Sequence, residues 1–425
     1  MGLKHDLADL VAQGIIQAST AQDIEAYYTR QKKPAGPRLL IAFGILGSLL
    51  VGAGVLLIIA HNWDNFSKQL KTLLAFIPLL TGQGLTAYSI FKLRSASPAW
   101  KESSAVLLIF GLGACLALVS QIYQLPGDLA GFLVVWIVLA LPVILVTGSS
   151  MASLLVLVGS TWYACESGYW SHPTHLPVWF PLFILPVLWH YRHLILHQPR
   201  SNFTKFHHAL FPAVLFIVLG TLAGQHQPLL FLTYMSLAGF LFGVGRLLWH
   251  GVDQSQLNSY QALATLVMVV ILLMLSFSWF WEEYARHPLS GLWTSREMLI
   301  ALVLIIGAGL LMAFKWIKRT DRSIRPWELV PTLFLIIFIS GLGAVVWPQV
   351  AINVLLLALG IFTLVEGAKQ DHLPRLNFGL LIITALLICR FFDLDLSFVT
   401  RGLLFVGLGL GFFLINYRML KRKSL

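Results

Sequence analysis

From Leu39 to Ala60 the chain runs without one charged, amide or imidazole side chain. A helix that is apolar on every face has no place on the surface of a water-soluble fold, and about 20 such residues suffice to cross the hydrocarbon core of a bilayer. The same pattern recurs to the end of the chain, most plainly over residues 129–147. Lipid offers backbone groups no hydrogen-bond partner, so only helices or closed barrels cross it, and runs of this length without alternation select helices. Composition agrees: 58% of the 425 residues are hydrophobic and 11% charged, against roughly 45–50% and about 25% in soluble domains. The expected class is therefore all-α, a polytopic helical membrane protein.

Windows of about 19 residues place fourteen spans. They lie near 39–60, 70–91, 104–124, 129–147, 150–165, 177–194, 208–224, 228–248, 260–281, 297–316, 329–346, 348–366, 376–392 and 398–417, with twelve as the lower count. Of the 29 Lys and Arg residues, 23 then fall in segments on the side of the termini and 6 on the other side. Acidic residues divide 10 to 8, so the asymmetry belongs to the basic residues, and it places both termini in the cytoplasm. The net charge of +11 thus reads as an orientation signal with affinity for anionic lipid on the cytoplasmic side, and not as a nucleic-acid surface. All but one of the 14 Trp fall near a span end, Trp136 being the exception. No cleavable secretory signal is expected, since the first 38 residues are polar and the first apolar run is long enough to stay as an anchor.

Residues 1–36 form the second expected domain, a small cytoplasmic helical hairpin with a basic linker, ahead of the membrane domain at 37–425. Leu7, Leu10 and Val11 stripe one helix and Gly14 ends it. Ser19 and Gln22 have capping-box spacing before a second helix through Arg30, and Lys32, Lys33, Pro34 and Gly36 lead to the first span. A hairpin this small buries little apolar surface alone, so it docks on its own membrane domain or on a cytoplasmic protein.

Polar groups at membrane depth are costly and mark sites where they find partners. Asn62 and Asp64 close the first span; Gln121, Tyr123 and Asp128 close the third; and Arg390, Asp393 and Asp395 close the thirteenth. These eight residues are candidates for one outward-facing polar cluster, with Arg390 paired to Asp393, Asp395 or a carboxylate of the earlier motifs. The other reading is interfacial capping, each group ending its own span in water. His190, His193 and His197 fall on one helical face at i, i+3 and i+7, which suits a transition metal, and His207 and His208 follow. No cysteine or carboxylate accompanies them, and Arg192, Arg200 and Lys205 crowd the same stretch, so a polar face near lipid head groups is the preferred reading.

Small residues at four-residue spacing, Gly44, Ser48 and Gly52, and Gly407 with Gly411, suit close helix packing. Glu366 has Lys369 three residues on as its expected partner. Cys115, Cys165 and Cys389 make no paired framework. No nucleotide loop, HExxH, GxSxG or other cofactor signature is present, which argues against primary pumps and intramembrane metalloproteases.

The order Leu10, Gly14-Ile15-Ile16, Asn62-Trp63-Asp64, Gln121-Ile122-Tyr123 and Gly127-Asp128 resembles the prokaryotic membrane proteins grouped as domain of unknown function 2157. Glu366-Gly367, Asn377, Gly379 and Arg390-Phe391-Phe392-Asp393 extend the likeness late in the chain, with Phe391 standing where Tyr is expected. Residues from about 150 to 365 carry none of it. The resemblance implies a bacterial inner-membrane protein and brings no activity with it. The functional expectation is a transporter or lipid-handling permease built on the outer cluster. The alternative is a non-transporting scaffold or regulatory envelope protein that recruits a cytoplasmic partner through the hairpin. A membrane enzyme using Asp64 and Asp128 is a third class, and a homo-oligomer stays open.

Overall fold

The computed structural model describes Leu7, residues 10–31, 63–93, 98–171, 174–224, 226–248, 258–286, 291–317 and 325–393, and isolated positions from 399 to 413. Among these residues the chain is helical and contains no strand. It divides into two compact units, Met1–Leu74 and Ala75–Leu425.

In the first unit Gly14, at φ +70°, makes a left-handed turn in which its N–H donates to Val11 O at 3.0 Å. Helix α1 (Ala18–Gln31) follows. Its first hydrogen bond runs from Ala21 N–H to Gln17 O, so Ser19 lies inside the first turn and not at the expected cap. A short 3-10 helix, Trp63–Asn65, holds Asp64 exposed. Lys71, one turn into α2 (Lys68–Tyr88), sets its ammonium 5.7 Å from the centre of the Trp63 ring.

The second unit contains α3 (Pro98–Tyr123), α4 (Leu129–Thr147), α5 (Ser150–Cys165), α6 (Phe180–His197), α7 (Asn202–Gly220), α8 (Leu229–Leu248) and α9 (Ser259–Met274). Then come α10 (Ser278–Arg286), α11 (Arg296–Ile317), α12 (Pro326–Ser340), α13 (Val346–Lys369) and α14 (Leu373–Asp393). Every span expected between 70 and 392 coincides with a described helix, whereas 39–60 and most of 398–417 lie outside the described residues, as do Gly44, Ser48 and Gly52. Eight helices among the described residues are long and apolar enough to cross a membrane, nine if the bent pair α9–α10 counts as one span. The remaining helices fall short for physical reasons. Helices α5 and α12 have 16 and 15 residues, and α6 carries His190, Arg192, His193 and His197 in its last two turns. A π-helical turn, Glu166–Trp170, prolongs α5.

Two apolar cores fill this unit. One joins α3 to α7 around Leu133, Ile144, Leu157, Phe183 and Val187. The other joins α7 to α14 around Met268, Leu272, Trp281, Phe334 and Leu356. Helix α7 serves both, giving Val214 and Val218 to the first and Phe216 and Leu219 to the second. Between helices in lipid the hydrophobic effect contributes little, so these contacts hold through dispersion and close fit. The tightest fit is α13 against α14. A Cβ on Gly379 would stand 2.4 Å from Leu364 N, and one on Gly367 2.4 Å from Leu376 N, so the two backbones touch where no side chain intervenes. At the end of this pair Glu366 takes Arg375 at 3.2 Å and Gln370 at 3.1 Å, which corrects the expected pairing with Lys369. The arginine of the neighbouring helix reaches the carboxylate that the helix's own lysine was expected to hold.

Candidate functional site

The end of the bundle that carries Lys101, Arg192 and Lys205 holds a polar network inside the protein. It begins at the α4–α5 turn, two residues long, where Gly148 adopts φ +58° and Ser149 caps α5. A turn this tight leaves the last carbonyls of one helix and the first N–H groups of the next beside each other. Adjacent residues of α3 satisfy both. The Lys101 ammonium donates to Gly148 O at 3.0 Å, and the buried Glu102 carboxylate accepts from Ser149 Oγ at 2.5 Å, Ser150 N at 3.2 Å and Met151 N at 2.8 Å. Cation at a helix C-terminus and anion at an N-terminus are the arrangement the peptide dipoles favour. Lys101 and Glu102 also lie 3.5 Å apart.

From the cap the network runs inward along α5. Ser150 and Ser153, three apart, meet the two histidines of neighbouring helices: Ser150 Oγ stands 3.1 Å from His190 Nε2, and Ser153 Oγ 3.0 Å from His207 Nε2. His207 Nδ1 lies 2.8 Å from Phe203 O, an acceptor only, so Nδ1 carries a proton and Nε2 is the atom that meets Ser153. Tyr191 stacks on His207 with ring centres 5.6 Å apart, and its hydroxyl bonds His208 Nδ1 and, at 2.9 Å, the Tyr260 hydroxyl. Five helices, α3, α5, α6, α7 and α9, thus share one polar interior. At the opposite end Tyr169 donates to Ile217 O at 2.7 Å, so α5 and α7 lie alongside each other over their lengths.

This arrangement separates the three histidines aligned on α6. His190 is 3% exposed and turned into the bundle. His193 and His197 are exposed and stack on each other at 4.2 Å. Among the described residues no three His, Cys, Asp or Glu side chains group as a metal site.

A second polar centre lies where α9 gives way to α10 at an angle of 79°. Residues 275–277 leave the helix, freeing carbonyls that side chains recover: Trp281 Nε1 donates to Leu275 O at 2.8 Å, and Asn353 Nδ2 to Ser276 O at 3.0 Å. Ser276 is fully buried, and its hydroxyl accepts from Arg390 Nη2 at 3.2 Å. The Arg390 guanidinium sits 4.8 Å from the centre of the Phe277 ring. Asn353 Oδ1 is buried and accepts no hydrogen bond.

The eight residues of the expected outer cluster fall as follows. Gln121, Tyr123 and Asp128 are exposed around the α3–α4 turn, and Asp128 caps α4 through Gly131 N–H at 2.9 Å. Arg390 meets Ser276 and Phe277 at the α9–α10 junction, while Asp64 lies in the other compact unit. Asp393 ends α14, and Asn62 and Asp395 lie outside the described residues. Sequence reasoning passed over Glu102, Ser149, Ser150, Ser153, Tyr191, Tyr260, Ser276 and Asn353. Their available signals were Ser149-Ser150 and Ser153 at the start of one apolar span, and Asn353 within the first two turns of another.

Stacked apolar helices with lipid-type outer faces and polar groups gathered inside define an integral helical membrane protein. The family described as predicted membrane protein (DUF2157) matches residues 8–153, which run from the N-terminal segment to the first turn of α5. The match ends at Ser153, so it includes Glu102 and the α4–α5 turn and leaves out the late motifs at 366–393. No curated protein and no solved structure matches the chain.

Proposed function

We propose that the protein is a transporter or lipid-handling permease whose working centre is the α9–α10 junction. One observation carries the reading: a helix interrupted inside the bundle, with the acceptor Asn353 Oδ1 buried and without a donor next to Arg390. Non-helical backbone at membrane depth is tolerated where protein or a water-filled path surrounds it, and broken helices supply the ligand contacts of many transporters. The guanidinium suits an anionic group of the solute, and the amide carbonyl a hydroxyl or ammonium beside it. The basic-residue asymmetry and the family resemblance support a bacterial inner membrane with both termini cytoplasmic, its inner face against anionic lipid.

The test needs no known substrate. Ser276→Cys, in a chain lacking Cys115, Cys165 and Cys389, is exposed to a membrane-impermeant maleimide in right-side-out and inverted vesicles. Alternating access makes this buried position reactive from both sides. Silence from both sides, with an exposed control position labelled, ends the transport reading. It would favour the scaffold, for which Ile15, 62% exposed at the N-terminal turn, is a contact point. Deleting residues 1–36 then removes the phenotype while leaving membrane insertion intact.

A further inference from the structure

A cavity of about 220 Å³ lies between α8, α11 and α12, away from the α9–α10 junction. Its walls are apolar and include Gly243 and Gly309, and Arg246 and Glu328 line it. These two form an ion pair at 2.5 Å with side chains 8% and 6% exposed. Arg246 stands in the last turn of α8 and Glu328 in the first turn of α12, so both charges sit at helix ends, the depth at which bilayer head groups lie.

The mouth determines what can enter. Gly309, Thr332 and Leu247 line the cavity and are exposed. The surface around them consists of Ile306, Leu310, Leu333 and Ile336, which are 59%, 66%, 43% and 62% exposed. A cavity that opens onto such a face opens sideways into hydrocarbon, so its occupant arrives from the bilayer. An apolar volume ending at a buried pair of opposite charges fits an acyl chain whose head group itself carries both signs. A lone arginine would select an anionic head, whereas an arginine held against a glutamate offers a donor fork for a phosphate and an acceptor for an ammonium N–H.

We propose that this cavity binds a phospholipid bearing a primary ammonium, its phosphate on Arg246, its ammonium on Glu328 and part of one acyl chain along Gly243 and Gly309. The site goes beyond the transport reading and stands if that reading fails.

The experiment uses the full-length protein in nanodiscs containing photoactivatable phosphatidylethanolamine, phosphatidylglycerol or phosphatidylcholine in turn, with cross-linked peptides mapped by mass spectrometry. Phosphatidylethanolamine is expected to label α8, α11 and α12 around the cavity above the other two. Gly309 lines the cavity and a Cβ there meets nothing within 4 Å, so a side chain can start at this position without a clash; in Gly309→Phe, whose ring competes for the cavity, labelling there should fall to the level of the outer surface. Glu328→Gln should shift preference towards phosphatidylglycerol. Equal labelling by the three lipids in the unaltered protein, or undiminished labelling in a folded Gly309→Phe, overturns the proposal. The second outcome does not depend on whether the charge variants fold.

Discussion

Glu102 and Asn353 are both polar side chains inside an apolar bundle, and the protein treats them differently. The Glu102 carboxylate receives three donors at the start of α5, with Lys101 3.5 Å away. Asn353 donates to Gln349 O at 2.8 Å and to Ser276 O at 3.0 Å, while its own carbonyl accepts nothing. A satisfied network resists rearrangement because every move breaks a bond that lipid cannot replace. A centre with a spare acceptor can exchange partners at lower cost. The first arrangement therefore suits holding helices in register, and the second suits a changing occupant.

The largest effect is expected at Glu102. Glu102→Leu strands its backbone and hydroxyl donors and should cost about 3 kcal/mol, read as a lowered unfolding midpoint in detergent. A loss smaller than that of Asn353→Leu would reverse the comparison. Asp128→Ala removes an exposed cap and should cost about 1 kcal/mol without altering maleimide labelling at position 276. Altered labelling would return the α3–α4 turn to the functional site. Asn353→Leu gives up two hydrogen bonds but also removes a buried acceptor with no partner, so its cost should stay below about 1 kcal/mol. Its effect should appear in the accessibility of Ser276→Cys instead. Ser153→Ala takes one bond from His207 and should cost about 0.6 kcal/mol, the average for side-chain bonds between membrane helices.

Membrane helices are legible because lipid demands the same apolar length from each, and twelve expected spans fall on described helices. Helix breaks are less so. Pro78, Pro142, Pro186, Pro212 and Pro331 all sit inside continuous helices, whereas the 79° bend occurs at Leu275-Ser276-Phe277, which contains neither Pro nor Gly. Trp281 and Asn353 hold that break from a distance, which no local window sees. His190 was visible as a histidine at the end of a span, yet its partner Ser150 lies 40 positions earlier, and spacing on α6 suggested His193 and His197 instead. Arg246 and Glu328, 82 positions apart, entered the sequence reading only through the separate totals of basic and acidic residues. Their pairing follows from which helices pack together, and helix order along the chain leaves that open.

The clamp at the α4–α5 turn bears on how the chain is made. Lys101 and Glu102 are translated before residues 147–151, so the groups that hold the turn are already in place when it leaves the ribosome. Among the described residues the first core takes none beyond Val218. Its helices can lock together while α8 to α14 are still being synthesised, and α7 then offers Phe216 and Leu219 as the first wall of the second core. Assembly from the N-terminal side is thus written into the direction of these contacts, and a chain stalled after α7 should already resist protease at the α4–α5 turn.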